Sequence, residues 1–123
     1  MKTFIETQNA PKAIGPYSQA VKLRNLLFIS GQLGLNPEGN FAGADTASQT
    51  RQALKNIQAI LEAADLKTTN IVKINVSLTD LADFGAVNEI FTEFFEPPYP
   101  ARACVQVAKL PKDGKVEIEV IAG

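Results

Sequence analysis

The sequence has no histidine, and only one of its 123 residues is a cysteine. The first absence removes the commonest general base and the commonest metal ligand. With Cys104 as the only thiol, a zinc site is not expected. Neither Ser-His-Asp nor Cys-His nucleophilic catalysis can be assembled within one chain. Cys104 also lacks a partner for an intramolecular disulfide, which fits a reducing, cytoplasmic setting. A basic excess is missing too: 12 Lys and Arg face 13 Asp and Glu, for a net charge of −1. No basic block is available to neutralise a phosphate backbone, so no nucleic-acid partner is expected. Long apolar runs are absent. The opening Met1-Lys2-Thr3-Phe4-Ile5-Glu6 does not read as a signal peptide, and no later segment reads as a bilayer span. The expected location is the cytoplasm, with no membrane partner.

What is present is an ordinary globular composition, 46% apolar and 20% charged. The length fits one domain over residues 1–123 with its own core. Thr3–Glu6 reads as a short strand, and Pro11 and Pro16 make the following segment a loop. Val21–Leu23 is a further strand. Leu26–Gly31, apolar almost throughout, reads as one buried on both faces and ended by Gly31 and Gly34. From Ala44 the period changes. Thr46 and Gln49 have the spacing of a capping box, and Leu54, Ile57, Leu61 and Ala64 form the stripe of a helix of about five turns. Ile71–Thr79 alternates as a strand, with Val72, Ile74, Val76 and Leu78 on one face. Asp83 is placed to cap a second helix with the stripe Val87, Ile90, Phe91 and Phe94, which Pro97-Pro98 stops. The order β-β-β-α-β-α-β-β predicts an α+β fold with two helices packed on one face of a sheet. A second subunit is the expected cover for the other face.

The stretch Pro100–Glu119 holds most of the chemistry. Two alternating runs flank the turn-like cluster Pro111-Lys112-Asp113-Gly114, which reads as two strands joined by a turn. Arg102, Cys104 and Gln106 share one face of the first run. In the second, Glu117 and Glu119 oppose Val116, Ile118 and Val120. An arginine set among alanines, prolines and a cysteine suits a small anion. Two surface strands with a solvated polar face would give the same pattern. The residues alone leave both readings open.

Several motifs, in order, carry a resemblance that spans nearly the whole chain. They are Ile14-Gly15-Pro16-Tyr17-Ser18-Gln19-Ala20, Ser30-Gly31-Gln32, Asn88, Pro100-Ala101-Arg102-Ala103-Cys104-Val105, and Leu110-Pro111 through Val116-Glu117-Ile118-Glu119. Together they resemble the YjgF-type reactive intermediate deaminases, and within them the RidA branch of 2-iminobutanoate/2-iminopropanoate deaminases. The resemblance implies a chorismate-mutase-like fold with a mixed six-stranded sheet, assembled as a homotrimer with clefts between subunits. It implies hydrolysis of reactive enamines and imines, released by pyridoxal-phosphate-dependent dehydratases, to 2-keto acids and ammonia. It implies that the deaminase itself needs no cofactor and no metal. The catalytic residues it implies are Arg102, Glu117 and Tyr17. Arg102, Cys104, Gly31, Ser30 and Asn88 are implied to bind substrate or support its pocket. The chain departs from the family pattern at Ala103, where a hydroxyl residue is common, and at Gln106, where Glu is common. The short link Glu96-Pro97-Pro98-Tyr99 bears on pocket width and so on the preferred substrate.

Chemistry supports those assignments. A guanidinium meets a carboxylate with two parallel charge-assisted hydrogen bonds and stays charged at any working pH. Glu117 is the candidate to hold or deprotonate a water, there being no histidine. Backbone groups near Gly31 and Cys104 suit the imine nitrogen or the developing carbinolamine, and the Tyr17 hydroxyl suits the water or the closure of the pocket. In a hairpin turning at Pro111–Gly114, Arg102 and Glu117 would lie about 15 Å or more apart along the strands. A shared pocket then needs one of them from a neighbouring subunit. A trimer that binds 2-keto acids without turnover would use the same residues. RNA cleavage, a further activity attached to the family, is disfavoured by the missing histidine and the near-neutral charge.

Overall fold

Alternating and helical periods become eight main elements in the computed structural model, which describes all of residues 1–123. They are β1 (Lys2–Ile5), β2 (Ala20–Leu23), β3 (Leu26–Leu33), α1 (Thr46–Ala63), β4 (Ile71–Leu78), α2 (Phe84–Phe94), β5 (Ala101–Gln106) and β6 (Val116–Ala122). This is the predicted order. The six strands form one mixed sheet in the order β1-β2-β3-β6-β4-β5. Helix α2 carries the chain back between β4 and β5, so these two run parallel, and every other pair is antiparallel.

The expected hairpin between β5 and β6 does not form. Residues 107–115 are long enough to pass beyond β4, and β6 inserts between β3 and β4. A single turn at Pro111–Asp113 does lie in that connection, but it joins strands that are not neighbours.

The core lies between the sheet and the helices. Leu54, Ile57, Ile60 and Leu61 of α1 are fully buried with Leu27, Ile74, Val76, Leu78, Val116 and Ile118 of the sheet. Each such side chain contributes about 1.5–3 kcal/mol by leaving water. Helix α1 starts one residue earlier than a Thr46 cap would place it. Asp45 is the N-cap, and its carboxylate accepts from the Ser48 N–H. Thr46 instead donates to Asp83 Oδ2 at 2.6 Å. The Asp83 carboxylate therefore ties the start of α2 to the start of α1 and makes no capping bond of its own. Gln49 is buried, donating to Gly43 O and accepting from Lys115 N–H.

Two bulges reset the faces read from alternation. An irregularity between Ile71 and Lys73 turns Ile71 inward and leaves Val72 exposed. Another, between Ile29 and Gln32, lets β3 run through Gly31 to Leu33 instead of ending there. Strand β3 is buried on one face only, since Leu26 and Phe28 are exposed. Phe4, Val21, Phe28 and Ile121 are successive cross-strand partners on the face away from the helices. Phe4 and Phe28 there are 62% and 42% exposed, so this face carries an uncovered apolar row.

Candidate active site

On the sheet face away from the helices, the bulge in β3 opens beside β6. A cleft of about 370 Å³ forms there, and Tyr17, Ser30, Gly31, Glu117 and Glu119 are among its walls. A wider groove of about 900 Å³ adjoins it along β1 and shares Tyr17. The Glu117 side chain lies across Gly31: a Cβ built there would stand 2.7 Å from Glu117 Cδ. Only glycine leaves that space. Burial pushes the Glu117 carboxyl above the usual glutamate value, and the Glu119 carboxylate pushes it further. Glu119 is itself held by Asn75 Nδ2, which donates to its Oε1 at 3.0 Å.

The segment carrying Tyr17 is fixed by two side chains behind it. Gln19 is buried. Its Nε2 donates to Thr7 O and Pro11 O, and its Oε1 accepts from Thr7 N–H at 2.7 Å. Ser30 Oγ donates to Ser18 O at 2.6 Å, so that hydroxyl holds the loop to β3. The Tyr17 hydroxyl accepts from Ile14 N–H at 3.2 Å and keeps its own proton to donate.

Arg102 stands elsewhere. It pairs with Ile74 in register, which turns its side chain to the helix side of the edge strand β5. Its Nη1 donates to Asn88 Oδ1 at 2.6 Å. The guanidinium carbon lies 5.2 Å from the centre of the Phe84 ring and 5.4 Å from that of Phe91. No carboxylate pairs with it, because the ion pairs of the chain are Arg51–Glu93 and Lys109–Asp113. Cys104 is half-buried against the core, and burial raises its thiol above the ordinary value while Arg102 opposes that shift. A neutral thiol is a poor nucleophile, so the part that suits Cys104 is its backbone. Gln106 Oε1 accepts from Leu81 N–H, which fastens β5 to the turn before α2.

The structure therefore brings Tyr17, Ser30, Gly31 and Glu117 together, and Arg102 and Asn88 together with Cys104 two residues along the same strand face. It does not join the two sets. Arg102 aligns with Ile74 and Glu117 with Ser77, on either side of β4. Three residues along and two strands across make about 14 Å between their Cα atoms, and the side chains leave opposite faces. A hairpin would have put about 15 Å or more between them along the strands. Here only about 10 Å lies along the strands, and the inserted β4 supplies the rest across the sheet. The motifs assign no role to Gln19, Glu119 or Phe84. Of these, Phe84 had a signal: with Asn88 and Phe91 it follows the spacing of one helix face.

No group of three His, Cys, Asp or Glu side chains is placed to hold a metal, and no helix is long and apolar enough to cross a membrane. The chain is 51% identical over 125 residues to the 2-iminobutanoate/2-iminopropanoate deaminase of Escherichia coli strain K12, covering 99% of this chain and 98% of that protein. The crystal structure of RidA from the Antarctic bacterium Psychrobacter sp. PAMC 21119 superposes with a TM-score of 0.95 at 52% identity, covering 98% of each chain. That of E. coli TdcF with bound serine gives a TM-score of 0.93 at 49% identity, covering 98% of this chain and 97% of that one. The sequence profile described as "Endoribonuclease L-PSP" matches residues 7–123. On this evidence the chain belongs to the endoribonuclease L-PSP family, in the branch of the YjgF-type and RidA reactive intermediate deaminases.

Proposed function

We propose that the chain, one domain per subunit, hydrolyses 2-iminobutanoate and 2-iminopropanoate, and the enamines in equilibrium with them, to 2-keto acids and ammonia. It does so as a homotrimer in which Arg102 of one subunit faces the Glu117 cleft of the next. The observation that carries this reading is the pair of half-sites on opposite faces of one sheet. One is a cation without a counter-ion; the other is a half-buried glutamate beside a glycine that leaves room for it.

Arg102 takes the substrate carboxylate as a bidentate pair. Water adds to the imine carbon while Glu117 accepts its proton, giving a carbinolamine. Glu117 returns that proton to nitrogen. As the C–N bond breaks, the carbinolamine hydroxyl gives its own proton up to Glu117, so that both hydrogens of the water pass to nitrogen, ammonia leaves and the keto acid remains. An imine is already electrophilic, so water, one base and orientation suffice, with no cofactor in the scheme. Tyr17 and the backbone near Gly31 and Cys104 orient the water and the nitrogen. The substrates arise from cytoplasmic dehydration of amino acids, and neither a nucleic acid nor a membrane takes part.

The test is a coupled assay with a serine or threonine dehydratase, following keto-acid formation. Arg102→Ala should lose the anchor, worth about 2–5 kcal/mol in kcat/KM. Glu117→Ala should lower kcat about 10²–10⁴-fold and leave 2-oxobutanoate binding largely intact. Unchanged keto-acid formation with Arg102→Ala would end the assignment. Wild type that binds 2-oxobutanoate but never accelerates the assay would make the trimer a binding protein.

A further inference from the structure

Arg102 is exposed on an edge strand, where a long side chain would ordinarily sample many rotamers. Here it is held from three directions by one face of α2. Asn88 Oδ1 accepts one guanidinium N–H at 2.6 Å, and the rings of Phe84 and Phe91 lie within 5.4 Å of its carbon. These residues recur at four and three positions, the repeat that stacks side chains on a helix. Phe91 is buried and has a core role, but Phe84 is 37% exposed and is not part of the main core cluster.

We propose that Phe84, together with Phe91 and Asn88, is a neutral clamp that fixes the Arg102 guanidinium for an incoming carboxylate, with Phe84 acting as a positioning residue. The inference rests on Arg102 being the substrate anchor proposed above. Neutrality is the point of the arrangement. An aspartate in place of Asn88 would hold the guanidinium at the same distance, but it would cancel the charge and compete with the ligand. An amide oxygen and two ring faces orient the cation and leave its charge uncompensated. Asn88 takes one of five N–H donors, and the others remain for a bidentate pair.

The experiment uses 2-oxobutanoate, the stable product, as the binding probe in calorimetry, with steady-state kinetics and NMR of the Arg102 Nε–H group. Phe84→Leu should weaken 2-oxobutanoate binding about two- to fivefold, the range of an exposed cation–π contact. The loss should fall on KM rather than kcat, and Phe84→Tyr should restore it. The Arg102 Nε–H resonance should be shifted upfield by the rings in wild type and Phe84→Tyr, and should relax in Phe84→Leu. Asn88→Asp should weaken binding more than Phe84→Leu does. Wild-type affinity in Phe84→Leu or in Asn88→Asp, or no ring-shifted resonance in wild type, overturns the clamp. If Arg102→Ala abolishes binding while Phe84→Leu binds like wild type, the clamp alone fails. If Arg102→Ala itself binds normally, the anchor and the clamp fail together.

Discussion

Glu117 and Gly31 form one unit at the scale of residues. The carboxyl occupies the space a side chain at residue 31 would fill. Gly31→Ala should therefore fold, because the obstacle is the flexible end of a glutamate, while kcat falls as the carboxylate is displaced. Circular dichroism and kinetics on one preparation check this. Titration gives a second expectation. Glu117 is raised above 4.5 first by burial and then by Glu119. As the proposed base it would work only when ionised, so the acid limb of kcat/KM should lie above that ordinary value. Glu119→Gln should move the limb to lower pH, because removing a neighbouring negative charge eases ionisation. For stability the sign is opposite to that of a salt-bridged acid. With the folded-state value raised, the favourable contribution is complete below the ordinary value and is lost as pH rises through the folded one. Glu117→Gln should thus raise Tm at neutral pH, and the gain should vanish in acid. That Tyr17, Ser30, Gly31 and Glu117, all named from motifs, line one cleft was legible in the sequence, but the partners that hold them were less so. That Gln19 anchors the Tyr17 loop depends on backbone atoms eight to twelve positions away, which no local pattern records.

Elements show the same division. The stripes of both helices were readable because burial follows the helical period, and Leu54, Ile57 and Leu61 are indeed buried. The place of β6 was not readable. Alternation says which side chains share a face but not which strand lies alongside, so the run from Arg102 to Glu117 looked like a hairpin until β4 was found between its arms. Bulges escape for a related reason: one extra residue moves Ile71 into the position that alternation gave to Val72. The contact between α1 and the exit of β3 is another long-range lock. Gly34 lets α1 approach so closely that a Cβ there would stand 2.4 Å from Gln49 Cα, which is backbone and cannot step aside. Buried Asn56 donates to Leu33 O and Leu35 O. Gly34→Ala should destabilise the fold by about 3 kcal/mol. Asn56→Leu, which leaves those carbonyls unpaired, should cost about 1–3 kcal/mol. Denaturant midpoints for both variants test this lock.

The whole molecule presents an uncovered apolar row and two separate polar clusters, around Glu117 and around Arg102, on opposite sheet faces. Phe4, Val21, Phe28 and Ile121 lie on the same sheet face as Glu117, so one packing event would cover the row and bring a neighbour to the cleft. If the proposed trimer packs on this row, Phe28→Lys should leave monomers in sedimentation and abolish activity although Arg102 and Glu117 are both intact. An active monomer would separate the row from the site. A closed ring of identical heterologous contacts, with each cleft shared by two subunits, also makes a prediction that needs no structure of the assembly. Arg102→Ala and Glu117→Ala, each inactive alone, are unfolded together in equal amounts, refolded, and assayed with a dehydratase. Sites built across subunits should return about a quarter of wild-type activity, since random mixing gives that share of clefts an intact Arg102 and an intact Glu117. If the mixture forms mixed trimers and stays as inactive as its parents, each site lies within one chain, and the account is contradicted.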